Sequence, residues 1–205
     1  MDYLTAIANF KPASAQEQED QQTMLAFIKN YPENVLLREN KIAHLTGSAL
    51  ILNESMDKLL MIYHNIYQSW SWTGGHADGD KDLLKVAIKE AGEETGLVRI
   101  KAVSDKIVSL DILPVFGHIK NDQPVSAHLH LSVAYLLQAS ESEPVSIKPD
   151  ENSGVKWIPI GELPAYVSEP HMQVVYDKIL LRLNTNKLNQ LNNKGGSTHV
   201  NSQSH

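Results

Sequence analysis

Cysteine is absent from this chain of 205 residues. A chain without cysteine forms no disulfide, thiolate zinc site or iron–sulfur cluster and has no cysteine nucleophile. No apolar run approaches the roughly 20 residues that a membrane-spanning helix requires. The first residues, from Met1 to Leu4, also lack the basic and apolar regions of a secretory signal. The sequence therefore favours a soluble cytoplasmic protein without a membrane partner.

An excess of basic residues is also lacking. Eighteen Lys and Arg residues stand against 24 Asp and Glu residues, which gives a formal net charge of −6. A protein that coats a nucleic-acid duplex needs a basic face to displace counterions from the phosphates. The charge balance therefore argues against a nucleic-acid duplex as partner. The remaining composition, with 42% hydrophobic and 20% charged residues, is that of an ordinary globular protein.

Three regions follow one another along the chain. Residues 1–40 predict a helical extension, in which Ser14 followed by Glu17 resembles a capping box. Residues 41–185 mix apolar runs, polar turns and helical segments, which is typical of an α/β or α+β domain with a mixed sheet. Residues 186–205 are rich in Asn, Gln, Ser and Gly and predict a disordered polar tail.

Apolar runs within the middle region predict five strands, at residues 45–52, 59–63, 107–113, 127–137 and 155–158. The fourth strand alternates, which places His128 and His130 on one face and leucines on the other. A helix is predicted from about Asp82 to Thr95, and Gly96 stands where a glycine would end it.

Three carboxylates of this predicted helix point to chemistry. At about 100° per residue, Glu90 and Glu94 lie at the edge of the apolar stripe, with Glu93 beyond them. Two like charges four residues apart destabilise a helix, and Mg²⁺ or Mn²⁺ would offset that repulsion because both ions prefer oxygen ligands. The alternative is a solvated acidic face that Lys85 and Lys89 neutralise.

The segment from Gly75 to Leu97 resembles the Nudix box, which reads G-x5-E-x7-R-E-U-x-E-E-x-G-U with U apolar. The matching residues are Gly75, Glu90, Glu93, Glu94, Gly96 and Leu97. The resemblance extends over roughly residues 40 to 185. It implies a Nudix-like α/β/α sandwich that hydrolyses a pyrophosphate bond in a nucleoside diphosphate linked to another moiety.

The resemblance also implies a ligand set for the metal. Glu90, Glu93 and Glu94 would bind Mg²⁺ or Mn²⁺, and the Gly74 carbonyl would complete the set. A general base near the metal is also needed. Family members often supply it from a loop well after the box, which matches Glu151; Glu93 is the competing base, and a plain solvated acid is the alternative for Glu151.

Two positions of the box differ from the family pattern. Lys81 stands in place of the first Glu, and Lys89 stands in place of the Arg. In the family these two residues usually form an ion pair, which two lysines cannot form. Asp80 or Asp82 is the replacement partner that we expect for Lys89, although lysine lacks the bidentate geometry of arginine.

Histidines and tryptophans near the glycine pair are candidate substrate-binding residues. His76 follows the glycines directly, and His128 with His130 could ligate a cation or donate to phosphate oxygens. These two histidines could equally line a polar sheet face. Trp70 and Trp72 could stack on a base, or they could pack in the core.

Two other functions are compatible with the same residues. A non-catalytic Nudix-like module that binds a nucleotide-derived ligand would explain Lys81 and Lys89. Isopentenyl diphosphate isomerases hold metal at positions that His44 and His76 resemble, but they use a cysteine where this chain has Gly74. Apart from that resemblance, we expect His44 to be an ordinary strand residue. The predicted partner is a small nucleotide-derived molecule, and a homodimer is compatible with the sequence.

Overall fold

The computed structural model describes residues 2–120 and 122–195. The chain divides into two compact units between Glu169 and Pro170. Of the elements in the described residues, the first unit contains the ten strands and four helices, and the second contains one long helix.

The helices are named in chain order. They are α1 (Tyr3–Asn9), α2 (Ala15–Asn30), α3 (Leu83–Thr95), α4 (Leu163–Tyr166) and α5 (Pro170–Gly195). A single 3₁₀ turn (Ile160–Glu162) precedes α4. Among the residues that the structure describes, no helix is both long and apolar enough to cross a membrane.

Ten strands are present in the described part of the chain. They are β1 (Ala43–Leu52), β2 (Lys58–His64), β3 (Ser69–Ser71), β4 (Thr73–His76), β5 (Lys101–Ala102), β6 (Ser109–Val115), β7 (His118–Lys120), β8 (Gln123–Val125), β9 (His128–Gln138) and β10 (Asn152–Pro159). The five predicted strands correspond to β1, β2, β6, β9 and β10. The five that the apolar pattern missed are short.

Eight of these strands form one mixed sheet. Strands β10, β2, β1, β9 and β5 lie side by side in that order, while β3 pairs with β2, β4 with β1 and β6 with β9. Only the pairing of β1 with β9 is parallel. The fold is therefore α+β with a mixed sheet, as predicted. Strands β7 and β8 pair separately.

Both faces of the central strands are covered. Every residue of β1 is buried, and β9 is buried without interruption from Leu131 to Leu137. The expected alternation of an apolar and a polar face is therefore not reflected in the burial of β9: both faces are buried from Leu131 to Leu137, and at the start of the strand Leu129 is exposed while His128 and His130 are half-buried. Ser132 is two residues after His130 and so shares the predicted polar face, yet it is buried, and its hydroxyl bonds that of Ser48 at 3.1 Å.

The N-terminal helices share the apolar core of the sheet. Ile7, Met24 and Ile28 are buried in the same cluster as the apolar residues of β1 and β9. The Ser14 side chain caps α2 by accepting from the Glu17 N–H at 3.1 Å. The Glu17 carboxylate accepts from the Ala13 N–H at 2.8 Å, one residue before the position that a standard capping box would use. The boundary at residue 40 stays a prediction.

The predicted tail lies partly outside the described residues. Residues 196–205 are not described, and the backbone of 186–195 belongs to helix α5 instead of a disordered segment. No Pro or Gly occurs between residues 171 and 194, so nothing in the sequence interrupts the helix before Gly195. The domain boundary at residue 185 stays a prediction.

Candidate active site

Helix α3 begins and ends where the sequence predicts. The Asp82 side chain caps the first turn by accepting from the Lys85 N–H at 3.1 Å. Gly96 ends the helix with a φ of 74°, a left-handed conformation that glycine adopts without steric cost. Both ends of the acidic helix are thus fixed by local contacts.

The buried face of α3 is rotated from the predicted one. Helical spacing predicts a buried stripe of Leu84, Ala87, Ile88 and Ala91. In the structure Val86 is buried and Ile88 is only half-buried, so Glu94 lies within the buried face and not at its edge. The reason is close contact with β1: a Cβ added to Gly47 would lie 2.6 Å from the Leu83 carbonyl oxygen. The backbone of α3 therefore lies directly against the sheet.

Glu94 is a buried carboxyl, with only 3% of its surface exposed. It accepts a hydrogen bond from the Gly74 N–H at 2.9 Å. The pKa of Glu94 is raised to about 8, chiefly by burial; the charges of Glu151 and Glu90 contribute to this increase, and the Gly74 hydrogen bond opposes it.

Glu90 lies against the second glycine of the pair. A Cβ added to Gly75 would lie 2.6 Å from Oε2 of Glu90, so any larger residue would displace this carboxylate. The two glycines therefore have separate tasks: Gly74 provides a backbone donor to Glu94, and Gly75 provides space for Glu90.

Glu151 joins these residues from the loop before β10. Its backbone carbonyl accepts from the Asn65 N–H at 2.9 Å. The neighbouring Asn152 is fully buried, and its side chain donates to the Glu94 backbone carbonyl at 2.9 Å. The sequence analysis did not single out Asn152, although a polar residue beside the predicted base was a usable signal. We call Glu90, Glu93, Glu94 and Glu151 the carboxylate cluster.

Two lysines lie among these carboxylates. Lys89 Nζ lies 3.0 Å from Glu90 and 3.2 Å from Glu93. Lys148 Nζ lies 3.1 Å from Glu151 and 3.6 Å from Glu93. The sequence analysis missed Lys148, because nothing in the sequence shows that its loop meets α3.

The prediction that Asp80 or Asp82 pairs with Lys89 is wrong. Asp80 forms an ion pair with Lys85 at 2.9 Å, and Asp82 caps the helix. Lys89 instead bonds acids of its own helix, which are already within its reach (i, i+1 and i, i+4).

The donor set of the carboxylate cluster fits Mg²⁺ or Mn²⁺. It supplies hard oxygen ligands from α3 and from the loop before β10. The raised pKa of Glu94 means that positive charge nearby would stabilise its ionised form. Among the described residues, however, the metal-type ligands that lie within 4.8 Å of one another are histidines. The convergence of these carboxylates on one cation stays a prediction.

Four histidines form a second group, which we call the histidine cluster. It consists of His44 on β1, His76 on β4, and His128 with His130 on β9. The parallel register pairs His44 with His130, and ring centroids within the cluster lie 4.9 to 5.3 Å apart.

Burial keeps most of these imidazoles neutral. It lowers the pKa of His76 to about 3, that of His130 to about 2, and also that of His44. His44, which we expected to be an ordinary strand residue, lies in β1 with its ring centroid within 5.3 Å of the other three histidines, and whether it is a ligand stays a prediction. Its resemblance to an isomerase metal position was the available signal.

The two tryptophans have different surroundings. Trp72 is buried, with 8% exposed, which leaves little ring surface for a base. Trp70 is half-buried and makes edge contacts with Tyr63 at 5.6 Å and Tyr166 at 6.2 Å. A stacking role stays a prediction, and the structure favours Trp70 over Trp72 for it.

The mixed sheet with an acidic helix against its central strand is the Nudix fold. The structure of an Ap4A hydrolase from C. elegans matches with a TM-score of 0.50 and 16% identity, over 69% of this chain and 98% of that one. The E. coli dihydroneopterin triphosphate pyrophosphohydrolase matches with a TM-score of 0.50 and 12% identity, over 67% and 95%. At these identities the likeness shows the fold alone.

Sequence comparison shows the family. Residues 43–179 match the NUDIX domain, so this chain belongs to the Nudix family. A probable DHNTP pyrophosphohydrolase from Lactococcus lactis subsp. cremoris is 32% identical over 105 residues. That match covers 51% of this chain and 59% of the relative, so it spans little more than half of the relative's length.

Proposed function

We propose that this protein is a divalent-metal-dependent hydrolase of a pyrophosphate bond in a nucleoside diphosphate linked to another moiety. The observation that carries this proposal is the buried Glu94 carboxyl, which bonds the Gly74 N–H beside Glu90 and Glu151. Membership of the Nudix family and the pyrophosphohydrolase named among its relatives support the same reaction.

The carboxylate cluster supplies the chemistry that this reaction needs. Bound Mg²⁺ or Mn²⁺, held by Glu90, Glu93, Glu94 and the Gly74 carbonyl, would neutralise charge on the phosphate oxygens. Water attacks phosphorus, the bond from phosphorus to the bridging oxygen breaks, and the water gives up a proton. Glu151 is the proposed acceptor of that proton, with Glu93 as the competing base.

The proposal extends to the surroundings of the reaction. Trp70 is the proposed stacking ring for the base of the substrate. We propose a small nucleotide-derived substrate and a cytoplasmic location; a homodimer stays a prediction.

Turnover by point variants tests the proposal. With Mg²⁺ or Mn²⁺, Glu93→Gln and Glu94→Gln should lose nearly all activity, because each removes a charged metal ligand. Glu151→Gln should lower kcat about 100-fold or more and leave the half-saturating metal concentration unchanged, because it removes a base and not a ligand. Glu19→Gln on the exposed face of α2 is the control and should match the wild type.

The substrate panel decides between the candidate functions. It contains nucleoside diphosphate sugars, dinucleoside polyphosphates, ADP-ribose, oxidised nucleotides and dihydroneopterin triphosphate. Wild-type turnover by both Glu93→Gln and Glu94→Gln would contradict the proposal. Stabilisation by a panel member without turnover would favour a non-catalytic module, and conversion of isopentenyl diphosphate would favour an isomerase.

A further inference from the structure

The fold brings four histidines together from three strands of the sheet. One ligand atom of each member of the histidine cluster lies within 4.8 Å of the other three. The cluster is separate in composition from the carboxylate cluster, since it contains no acidic residue. Its role does not depend on the proposed hydrolase activity.

Backbone carbonyls orient two of these rings. His44 Nδ1 lies 3.0 Å from the Asn40 carbonyl oxygen, and His128 Nδ1 lies 2.8 Å from the Ser126 carbonyl oxygen. Because a carbonyl only accepts, each of these Nδ1 atoms carries the proton and each Nε2 atom keeps a free lone pair. A carbonyl on the far nitrogen is the usual support of a histidine that binds metal.

Two nitrogens of the cluster are buried without a partner. Nε2 of His44 and Nε2 of His130 have no hydrogen-bond partner among the described residues. A buried polar atom without a partner costs about 1 to 3 kcal/mol, so such atoms are rare unless a ligand satisfies them. Both atoms belong to a group of side chains that, among the described residues, has the spacing of metal ligands.

We propose that the histidine cluster binds a borderline transition-metal ion, for which Zn²⁺ is the probe. Imidazole nitrogen suits Zn²⁺ and its neighbours in the transition series, whereas Mg²⁺ prefers oxygen. A tetrahedral ion about 2.0 to 2.1 Å from each nitrogen would hold the nitrogens about 3.4 Å apart. Small ring movements inward from the present spacing complete such a site.

Two opposite charges next to the histidine cluster, Arg38 and Asp78, form an ion pair with each other. The negative charge of Asp78 acts on His44 and His76, and the positive charge of Arg38 acts on these two and on His130. The four ligands are uncharged when they bind metal, so the affinity of the site rests on the imidazole nitrogens and not on a neighbouring negative charge.

A bound ion would stiffen strand β4, which contacts the carboxylate cluster. It would link β1, β4 and β9 through their side chains, and His76 directly follows Gly74 and Gly75 in β4. The inferred site is thus a positioning device for the strand whose Gly74 N–H bonds Glu94. This assignment replaces substrate binding as the role of His76, His128 and His130.

Zinc binding by the full chain tests the inference. Protein stripped with a chelator should take up one Zn²⁺ per chain in competition with a chromogenic zinc chelator, and excess Mg²⁺ should not displace it. Co²⁺ in place of Zn²⁺ should give the intense visible absorption of a four-coordinate ion. His44→Ala and His130→Ala should each weaken Zn²⁺ affinity by at least about 10-fold.

Three controls separate this site from other binding. His118→Ala should keep full affinity, because His118 is outside the histidine cluster. It is a matched control, since Nδ1 of His118 also lies 2.9 Å from a carbonyl oxygen, that of Phe116. A double variant with His199→Ala and His205→Ala, in the region that the structure does not describe, should also keep it. Glu94→Gln should bind Zn²⁺ normally, so loss of hydrolysis and loss of zinc are separable.

Three outcomes would overturn the inference. The first is that the wild type takes up no stoichiometric Zn²⁺. The second is that His130→Ala binds Zn²⁺ with wild-type affinity, and the third is that the double variant of His199 and His205 loses Zn²⁺ binding. Should His44→Ala fail to fold, the half-buried His128→Gln tests the same ligand set, and wild-type affinity in that folded variant would count against the site equally.

Discussion

The Glu94 carboxyl, at the residue scale, makes stability depend on pH. In the unfolded chain it loses its proton near the ordinary value of 4.5, whereas burial raises the pKa in the folded, metal-free protein to about 8. The folded state therefore keeps a proton that the unfolded state has lost. Its contribution to the free energy of unfolding falls as pH rises from about 4.5 to about 8, by at most about 1.4 kcal/mol per pH unit.

Glu94→Gln should remove this dependence. Without metal, the free energy of unfolding of the variant relative to wild type should rise by roughly 2 to 4 kcal/mol between pH 5 and pH 8. Urea unfolding with a chelator at both pH values measures it, with the exposed Glu19→Gln as control. An equal difference at the two pH values would show that Glu94 ionises normally in the folded protein.

The sequence predicts the residues of the site better than their surroundings. Spacing along one helix was enough to group Glu90 and Glu94, because helical geometry is local. His44 lies beside His130 because β1 and β9 pair in parallel register. Lys148 lies beside Glu93 because its loop meets α3. Neither contact follows from a pattern within a single segment.

Contact between β1 and α3 determines how the acidic helix is placed, at the scale of elements. A Cβ at Gly47 would lie 2.6 Å from the Leu83 carbonyl oxygen, and backbone cannot rotate away as a side chain can. Gly47→Ala should therefore lower the free energy of unfolding by about 1 to 3 kcal/mol and displace α3. Urea unfolding and a turnover assay measure both effects.

Gly161→Ala is the matched control for Gly47→Ala. A Cβ there has no atom within 4 Å, and the residue does not have a positive φ. Its stability should stay within about 0.5 kcal/mol of wild type. If Gly47→Ala were equally harmless, the close approach of helix and sheet would not be what fixes the position of α3.

Long strands were predictable and short ones were not, for a physical reason. Strands β1, β2 and β9 contain apolar runs that mark them in isolation. Strand β4 contains Gly74 and Gly75, which disfavour strand structure, and it forms because β1 offers it a partner. Strand preference of this kind comes from tertiary pairing, which the apolar pattern does not record.

At the scale of the whole molecule, the N-terminal helices share one core with the sheet. Residues 1–40 have too few apolar positions to close a core of their own, which predicts a helical extension. In the structure, Ile7 and Met24 belong to the same buried cluster as the apolar residues of β1 and β9. A local count of apolar residues identifies a segment that cannot fold alone, but not the surface that it covers.

Ile7→Ala tests whether α1 is part of the cooperative unit. Ile7 is fully buried, so the variant should lower the free energy of global unfolding by about 2 to 5 kcal/mol. The three tryptophans all lie outside α1, so their fluorescence reports this loss only if α1 and the sheet unfold together. Leu4→Ala in the same helix, where the side chain is 43% exposed, should cost about 0.5 kcal/mol or less. If the unfolding transition seen by tryptophan fluorescence were the same in both variants and in wild type, α1 would unfold independently of the sheet. A destabilised transition in Ile7→Ala alone would mean that α1 stabilises the sheet that carries the site.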